Sequence, residues 1–343
     1  PDGHRTMFAY MLLSKDPDTS REAFENMYAS YMNNLDPNGN LSMVLVSASI
    51  NLSVVKAEMD LRDEYRERIA LTLANEAALV RQSIEEGRTA TLEKASEKNP
   101  RIRMWITLIA GWQAKGLSGD DLARAVEERI GSIRDNFFYL HRNETHLKKP
   151  GQYMDLMVMT TRGIDKPYYY IDENYAPRWR RDPTVEFFGF RPDLNIANDL
   201  GPGADLHAEI ARLAERGAQD IGTLKAAGRS RGTENDRSFR YTLAFDMDNR
   251  APPGVGRGLV EYAAANPDIG IFQPGLKILN RWKSSWHVLR ESLTQITSFK
   301  QVQGIFWAFD WAGFWGKALL NNDLFIEHII NEEALPADAL SHD

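Results

Sequence analysis

An α/β fold on a mostly parallel sheet is what this sequence predicts, and three observations lead there. Residues 6–14 (TMFAYMLLS) and 41–47 (LSMVLVS) are apolar runs of strand length with a helical pattern between them. Strand, helix and strand in that order make a βαβ unit, whose two strands run parallel. Late in the chain, the apolar run Leu243-Ala244-Phe245 ends in Asp246-Met247-Asp248. That run reads as a buried strand delivering two carboxylates to its C-terminal edge, the edge where open α/β sheets hold ligands.

The elements follow in order. After the first strand, Lys15-Asp16-Pro17-Asp18 leaves as a loop, and Ser20 caps a helix that runs to about Leu35, with Phe24, Met27, Tyr28 and Tyr31 on one face. Asp36-Pro37-Asn38-Gly39-Asn40 breaks that helix before the second strand. Residues 54–86 form a long charged helix in which Arg62, Glu64, Arg66 and Glu67 suggest a solvated face. Residues 90–135 are helical, the last piece starting at Ser118-Gly119-Asp120-Asp121, and 137–140 are a strand. Residues 165–200, rich in Pro, Tyr and Arg, are an irregular excursion; 204–216 are a short amphipathic helix and 228–238 a polar, mobile connection. Beyond the Asp-x-Asp strand come a helix over 254–265, a strand at 269–273 and a helix over about 284–303. With no repeat and no clean boundary, the expectation is one domain over 1–343 with insertions at about 54–135 and 160–235.

Composition narrows the function classes. At 343 residues the chain is long enough to bury a core without disulfide or metal staples. A net charge of −7 gives no global attraction to nucleic acid or anionic lipid. The absence of cysteine removes disulfides, thiolate nucleophiles and Cys-based zinc sites, and fits a reducing compartment. No apolar run approaches the roughly 18 residues of a membrane span, and residues 1–5 are not a signal peptide. The most aromatic stretch, 305–315, is too short to span; it could line a groove or touch a bilayer surface.

Four separated groups of residues could carry chemistry. The ends of the first two strands, Ser14-Lys15-Asp16-Pro17 and Ser47-Ala48-Ser49, would face a nucleotide crevice, although such loops occur in any α/β protein. Lys148-Lys149-Pro150-Gly151 before a helical pattern could meet a diphosphate through lysine and through the helix N-terminus, or be an ordinary surface turn. The nearby His141 and His146 are poorly spaced for a shared helical metal site and read as non-ligands. Asp246 and Asp248 offer two hard oxygen ligands suited to Mg²⁺ or Mn²⁺ holding a phosphate; the plain alternative is a polar strand end stopped by Asn249 and Pro252-Pro253-Gly254. Finally, Leu340-Ser341-His342-Asp343 could present Asp343 as a general base, or be a frayed tail. Ahead of it Gly313-Phe314-Trp315-Gly316-Lys317 pairs a tight turn with aromatic faces that suit a sugar ring or a plain core.

Phe245-Asp246-Met247-Asp248, then Phe272-Gln273-Pro274, Phe314-Trp315-Gly316-Lys317 and Leu340-Ser341-His342-Asp343 stand in an order that resembles glycosyltransferase family 2. More narrowly, residues 240–343 are similar to the membrane-embedded bacterial glucosyltransferases of osmoregulated periplasmic glucan and cyclic β-1,2-glucan synthesis. The resemblance implies a GT-A, Rossmann-like fold with a mixed, mostly parallel sheet and helical insertions. It implies inverting transfer of a hexose, glucose, from a UDP-sugar donor to a growing glycan acceptor. Asp246 and Asp248 would hold Mg²⁺ or Mn²⁺ against the diphosphate, with Lys149 near the phosphates and Ser47 at the nucleotide end. Asp343 would be the catalytic base, with Trp311, Trp315, Gly316 and Lys317 on the acceptor side.

Departures from the family shape a further expectation. Ser47-Ala48-Ser49 stands where the family carries an Asp pair for the nucleobase, and the sequence ends at Asp343, before any Gln-x-x-Arg-Trp motif. Neither Arg178-Trp179 nor Arg281-Trp282 sits in that motif's place, and the stretch from Gly151 to Asp246 is longer than usual. The expectation is a soluble piece of a larger membrane protein at the cytoplasmic face of the inner membrane. It would be joined to that membrane through parts beyond this sequence and have little activity alone. Two rivals stay open. One is a haloacid-dehalogenase-type phosphatase using the Asp pair as nucleophile and acid. The other is a catalytically silent scaffold, or a glycan- or nucleotide-binding module on the same fold.

Overall fold

The computed structural model describes residues 5–12, 16–35, 37–142, 148–162, 169–171, 177–179, 188–189, 199, 201, 203, 205–229, 239–272 and 317–330. Strand β1 (Arg5–Leu12) pairs in parallel with β2 (Leu41–Ser47), Thr6 opposite Leu41 and Leu12 opposite Ser47. Beyond β2 lies β3 (Phe137–His141), also parallel, and on the other side of β1 lies β6 (Phe239–Asp246), again parallel. Two short strands complete the sheet: β8 (Leu319–Asn321) runs antiparallel to β6, and β7 (Ile271–Phe272) antiparallel to β8. The fold is therefore α/β around a mixed six-stranded sheet of order β3-β2-β1-β6-β8-β7. A separate antiparallel pair, β4 (Tyr169–Ile171) with β5 (Pro177–Trp179), lies within the stretch expected to be irregular.

Both faces of the sheet are covered, which is why its central strands are apolar throughout rather than alternating. Successive side chains leave a strand on opposite sides. Phe8, Tyr10 and Leu12 of β1 with Met43 and Leu45 of β2 join one core; Met7, Ala9 and Met11 with Val44 and Val46 join the other. The first core is closed by α1 (Pro17–Asn34), α2 (Leu52–Glu85), α3 (Thr89–Lys98), α4 (Pro100–Ala114), α5 (Gly119–Asp135) and α8 (Val255–Ala265). The second is closed by α6 (Lys148–Met157), the π-helical turn Val158–Arg162, and Ile221 and Leu224 of α7 (Leu206–Arg229). Gly256, in the first turn of α8, lies against the buried ring of Phe8, where a Cβ would collide. After β8 the chain enters α9 (Asn322–Phe325), whose buried Asn322 donates to Phe239 O at 2.9 Å.

Several sequence expectations change. The cap of α1 is Asp16, not Ser20: its extended backbone precedes Pro17, and its carboxylate accepts from Thr19 N at 2.9 Å and the Thr19 hydroxyl at 2.7 Å. Proline at the first helical position has no N–H to leave unsatisfied, so the helix starts there. On α2, Glu64 and Glu67 are exposed as expected, but Arg62 is buried. Its Nη1 lies 3.1 Å from Asp220 Oδ2 on α7, and Arg66 Nη2 lies 2.9 Å from Asp220 Oδ1. The same groups cover the outer edge of β3. Tyr139 N donates to Asp220 Oδ2 at 3.0 Å, and Arg66 Nε donates to Phe137 O at 2.8 Å. An edge strand otherwise leaves such backbone groups unpaired. Helix α7 runs past the expected end at residue 216 because Ile221 and Leu224 continue its buried side. The expected helix over 284–303 and the end of the strand at Gln273 lie outside the described residues.

Candidate functional site

Strand order reverses at β1: the chain builds β2 and β3 on one side of it and later places β6 on the other. A crevice opens outside the C-terminal ends of the strands at such a switch point. The residues that meet there are Leu12, Ser47 and Asp246, with Asp246 beside Met11 in the register. Asp246 is half-buried, while Met247 and Asp248 are exposed.

The turn after β6 is held by its own backbone and by α1. Asn249 N donates to Asp246 O at 3.1 Å, and Asn249 Oδ1 accepts from Asp246 N at 3.3 Å. Asn249 Nδ2 donates to Asp248 Oδ1 at 3.0 Å. From α1, Asn26 Nδ2 donates to Met247 O at 2.7 Å, Ser30 Oγ accepts from Ala251 N at 2.8 Å, and Asn34 Nδ2 donates to Pro252 O at 3.1 Å. Asn34 Oδ1 also accepts from Gly256 N at 3.1 Å, fixing the start of α8. Tyr10, stacked on Phe245 at 5.0 Å, donates to Asn249 O at 3.1 Å and meets Ser30 Oγ at 2.6 Å. Burial pushes the Tyr10 phenol well above its ordinary range, so it stays a neutral donor. Asn26, Ser30 and Asn34 recur every four residues and so share one helix face. That spacing is visible in the sequence, where the apolar face of the same helix, Phe24, Met27, Tyr28 and Tyr31, is the stronger pattern.

Helix α6 lies across the strand ends. Gln152, fully buried, donates through Nε2 to Leu12 O at 3.1 Å and Val46 O at 3.4 Å, and Tyr153 donates to Phe245 O at 3.4 Å. Burial first, and then the negative charge of Asp246, hold the Tyr153 hydroxyl protonated. A buried ion pair, Arg142 Nε to Asp155 Oδ2 at 2.7 Å, ties α6 back to the end of β3. Helix α6 is thereby anchored through Gln152 and Tyr153 at the β1, β2 and β6 ends; Lys149 belongs to its first turn, and a helix N-terminus favours an anion.

Lys317 is brought to the same edge. Its neighbour Ala318 accepts from Ala244 N at 2.9 Å, so the ladder with β6 sets its position, and Lys317 Nζ stands 3.1 Å from Asp246 Oδ2. Ser47 is not available in the way expected: it is fully buried, its hydroxyl accepting from Ser49 N at 3.4 Å and bonding Glu58. A donor base cannot reach a hydroxyl enclosed under the β2 end. His141, neutral because burial drives its pKa down to about 3, is a core residue of β3. Asp343, Trp311, Trp315, Gly316, Ser14 and Lys15 lie outside the described residues, as do Gln273, Pro274 and the aromatic stretch 305–315.

Glu58 of α2 sits beneath the β2 end. Its carboxyl accepts from Ser20 Oγ and Tyr139 Oη, each at 2.8 Å. Burial raises its pKa to about 7 despite those bonds and the one from Ser47. The folded pKa exceeds the ordinary 4.5, so the stability that protonation contributes is fully present below about pH 4.5 and is lost as pH rises through about 7. Glu58→Gln should remove that dependence: over this window, wild-type stability should fall relative to the variant by about 3 kcal/mol. Denaturant unfolding at a series of pH values checks this, and parallel curves would exclude titration of Glu58 there.

A divalent cation fits the residues present. Asp246 and Asp248 are hard oxygen donors at one sheet edge, and an ammonium already stands on Asp246. Among the described residues no three His, Cys, Asp or Glu side chains gather into a cluster, so those residues alone would not complete an oxygen shell. Also among the described residues, no helix is long and apolar enough to cross a membrane. Comparison with models of known families, with curated proteins and with solved structures finds no match to this chain.

Proposed function

We propose that this chain carries a nucleotide-sugar-dependent hexosyltransferase domain of GT-A type, moving glucose from UDP-glucose to a growing glycan with inversion. The observation that carries the reading is the Asp246-Met247-Asp248 turn at the sheet's switch point, with Lys317 beside Asp246 and α6 held to the end of β6 through Tyr153. That combination supports diphosphate binding: acidic oxygens for a cation, helix amides and an ammonium for phosphate. The family motif order from Asp246 to Asp343 narrows diphosphate binding to sugar transfer.

In this reading Asp248, assisted by Asp246, would hold Mg²⁺ or Mn²⁺, which would neutralise the charge of the departing diphosphate. Lys149 and the first turn of α6 orient the phosphates. Asp343 takes the proton of the acceptor hydroxyl as its oxygen attacks the anomeric carbon; the bond to the diphosphate oxygen breaks, and the configuration inverts in one step. By the family resemblance, Trp311, Trp315 and Gly316 would serve the acceptor side. The domain spans 1–343, the segments at about 54–135 and 160–235 being insertions. A second reading, a nucleotide- or glycan-binding module without catalysis, is favoured by the enclosure of Ser47, which leaves the base end without its expected contact.

Calorimetric titration of UDP with and without Mn²⁺ tests the proposal. The expected result is a UDP affinity at least about tenfold higher with Mn²⁺, because phosphate oxygens complete the metal's shell. Equal affinity in both conditions, or no binding, would overturn it. Tight metal-dependent binding without hydrolysis or transfer of UDP-glucose would favour the binding module.

A further inference from the structure

We infer that Lys317 serves the donor side of this site as an exchangeable counter-ion. It neutralises Asp246 before the donor arrives and passes to the diphosphate when a divalent cation takes the carboxylate. The inference rests on the diphosphate site proposed above and moves Lys317 from the acceptor side, where the family motif put it.

The ion pair is built into the sheet. Leu319 opposes Leu243, and Ala318 O accepts from Ala244 N at 2.9 Å, so the backbone just after Lys317 is fixed against the strand that ends in Asp246. Nζ and Oδ2 are 3.1 Å apart, with the two side chains 24% and 30% exposed, screened in part yet within reach of a ligand. Asp248, two residues on, is exposed, and Asn249 Nδ2 bonds its Oδ1 at 3.0 Å. The edge thus presents one carboxylate already matched by an ammonium and one facing solvent.

A divalent ion taking the Asp246 carboxylate would meet the positive charge that stands 3.1 Å from Oδ2, and like charges repel there. Metal alone must displace Lys317 and leave it without its carboxylate. A diphosphate arriving with the metal supplies oxygens for both cations. The ammonium, a compact charge with three donors on a flexible stem, can swing from carboxylate to phosphate without backbone movement. The lysine therefore opposes metal binding by itself and favours the metal–diphosphate pair, which makes the two ligands cooperative.

The experiment uses Mn²⁺ alone and Mn²⁺ with UDP, titrated calorimetrically into wild type, Lys317→Gln and Lys317→Arg. Lys317→Gln should bind Mn²⁺ alone several-fold more tightly and UDP in saturating Mn²⁺ about tenfold more weakly, a change of opposite sign for the two ligands. Lys317→Arg, which keeps the charge, should stay near wild type on both, and Lys317→Ala, which removes it, should show the same contrast as glutamine should the glutamine variant fail to fold. Equal UDP affinity in wild type and Lys317→Gln, or loss of both ligands together, would overturn the exchange while metal-dependent UDP binding by wild type kept the site itself. No metal-dependent UDP binding by wild type would overturn both.

Discussion

Asp248→Ala should reduce UDP affinity in the presence of Mn²⁺ by about 100-fold or more, while leaving metal-free UDP binding and the unfolding midpoint nearly unchanged. The large effect follows from removing one of the two carboxylates that the described residues offer to the cation; even outer groups around a metal cost about 10–100-fold when lost. The small effect on stability follows from position. Asp248 is exposed at the tip of the turn and accepts one hydrogen bond from Asn249, whereas Asn26, Ser30 and Asn34 hold the turn through backbone atoms. Surface changes of this kind stay within about 0.5 kcal/mol. Asp246 would be a poorer probe, because its carboxylate also receives Lys317. Calorimetry and thermal unfolding of the same preparations separate the two effects. A variant that binds UDP and Mn²⁺ as wild type does would remove the Asp pair from the site.

The second large effect concerns stability. Asp220→Ala should destabilise the fold by about 3–5 kcal/mol, the range found when one partner of a buried ion pair is removed. Its carboxylate, fully enclosed, meets Arg62, Arg66 and the Tyr139 N–H at 2.9–3.1 Å. Losing it leaves a buried backbone donor on the edge strand and an arginine pair short of one anion. Arg62 keeps Asp63 Oδ1 at 2.8 Å and Arg216 O at 3.2 Å, which limits the damage. Asp220→Asn, which keeps an oxygen for Tyr139 N and Arg62 but turns an amide donor toward the Arg66 guanidinium, should fall between alanine and wild type. Urea unfolding measures both, and a loss below about 1 kcal/mol for alanine would mean that water or Asp63 replaces the anion.

The sequence by itself determined the frame of the sheet. Residues 6–14, 41–47, 137–140 and the run into Asp246 read as buried strands because parallel strands covered on both faces must be apolar at nearly every position. The position of Asp246 and Asp248 at a strand end followed from the same run, since chemistry and local pattern coincide there. The tertiary structure alone decided which charges were structural. Arg62 and Asp220 are 158 residues apart, and no helical pattern around Arg62 distinguishes a buried guanidinium from a solvated one. It also decided that Ser47 turns inward to Glu58, because the side a strand-end hydroxyl faces depends on the helix that covers it. The pairing of Lys317 with Asp246 has the same origin: β8 is only three residues long and runs against its neighbours. A strand that short has no readable period, so only its pairing with β6 reveals where it delivers its lysine.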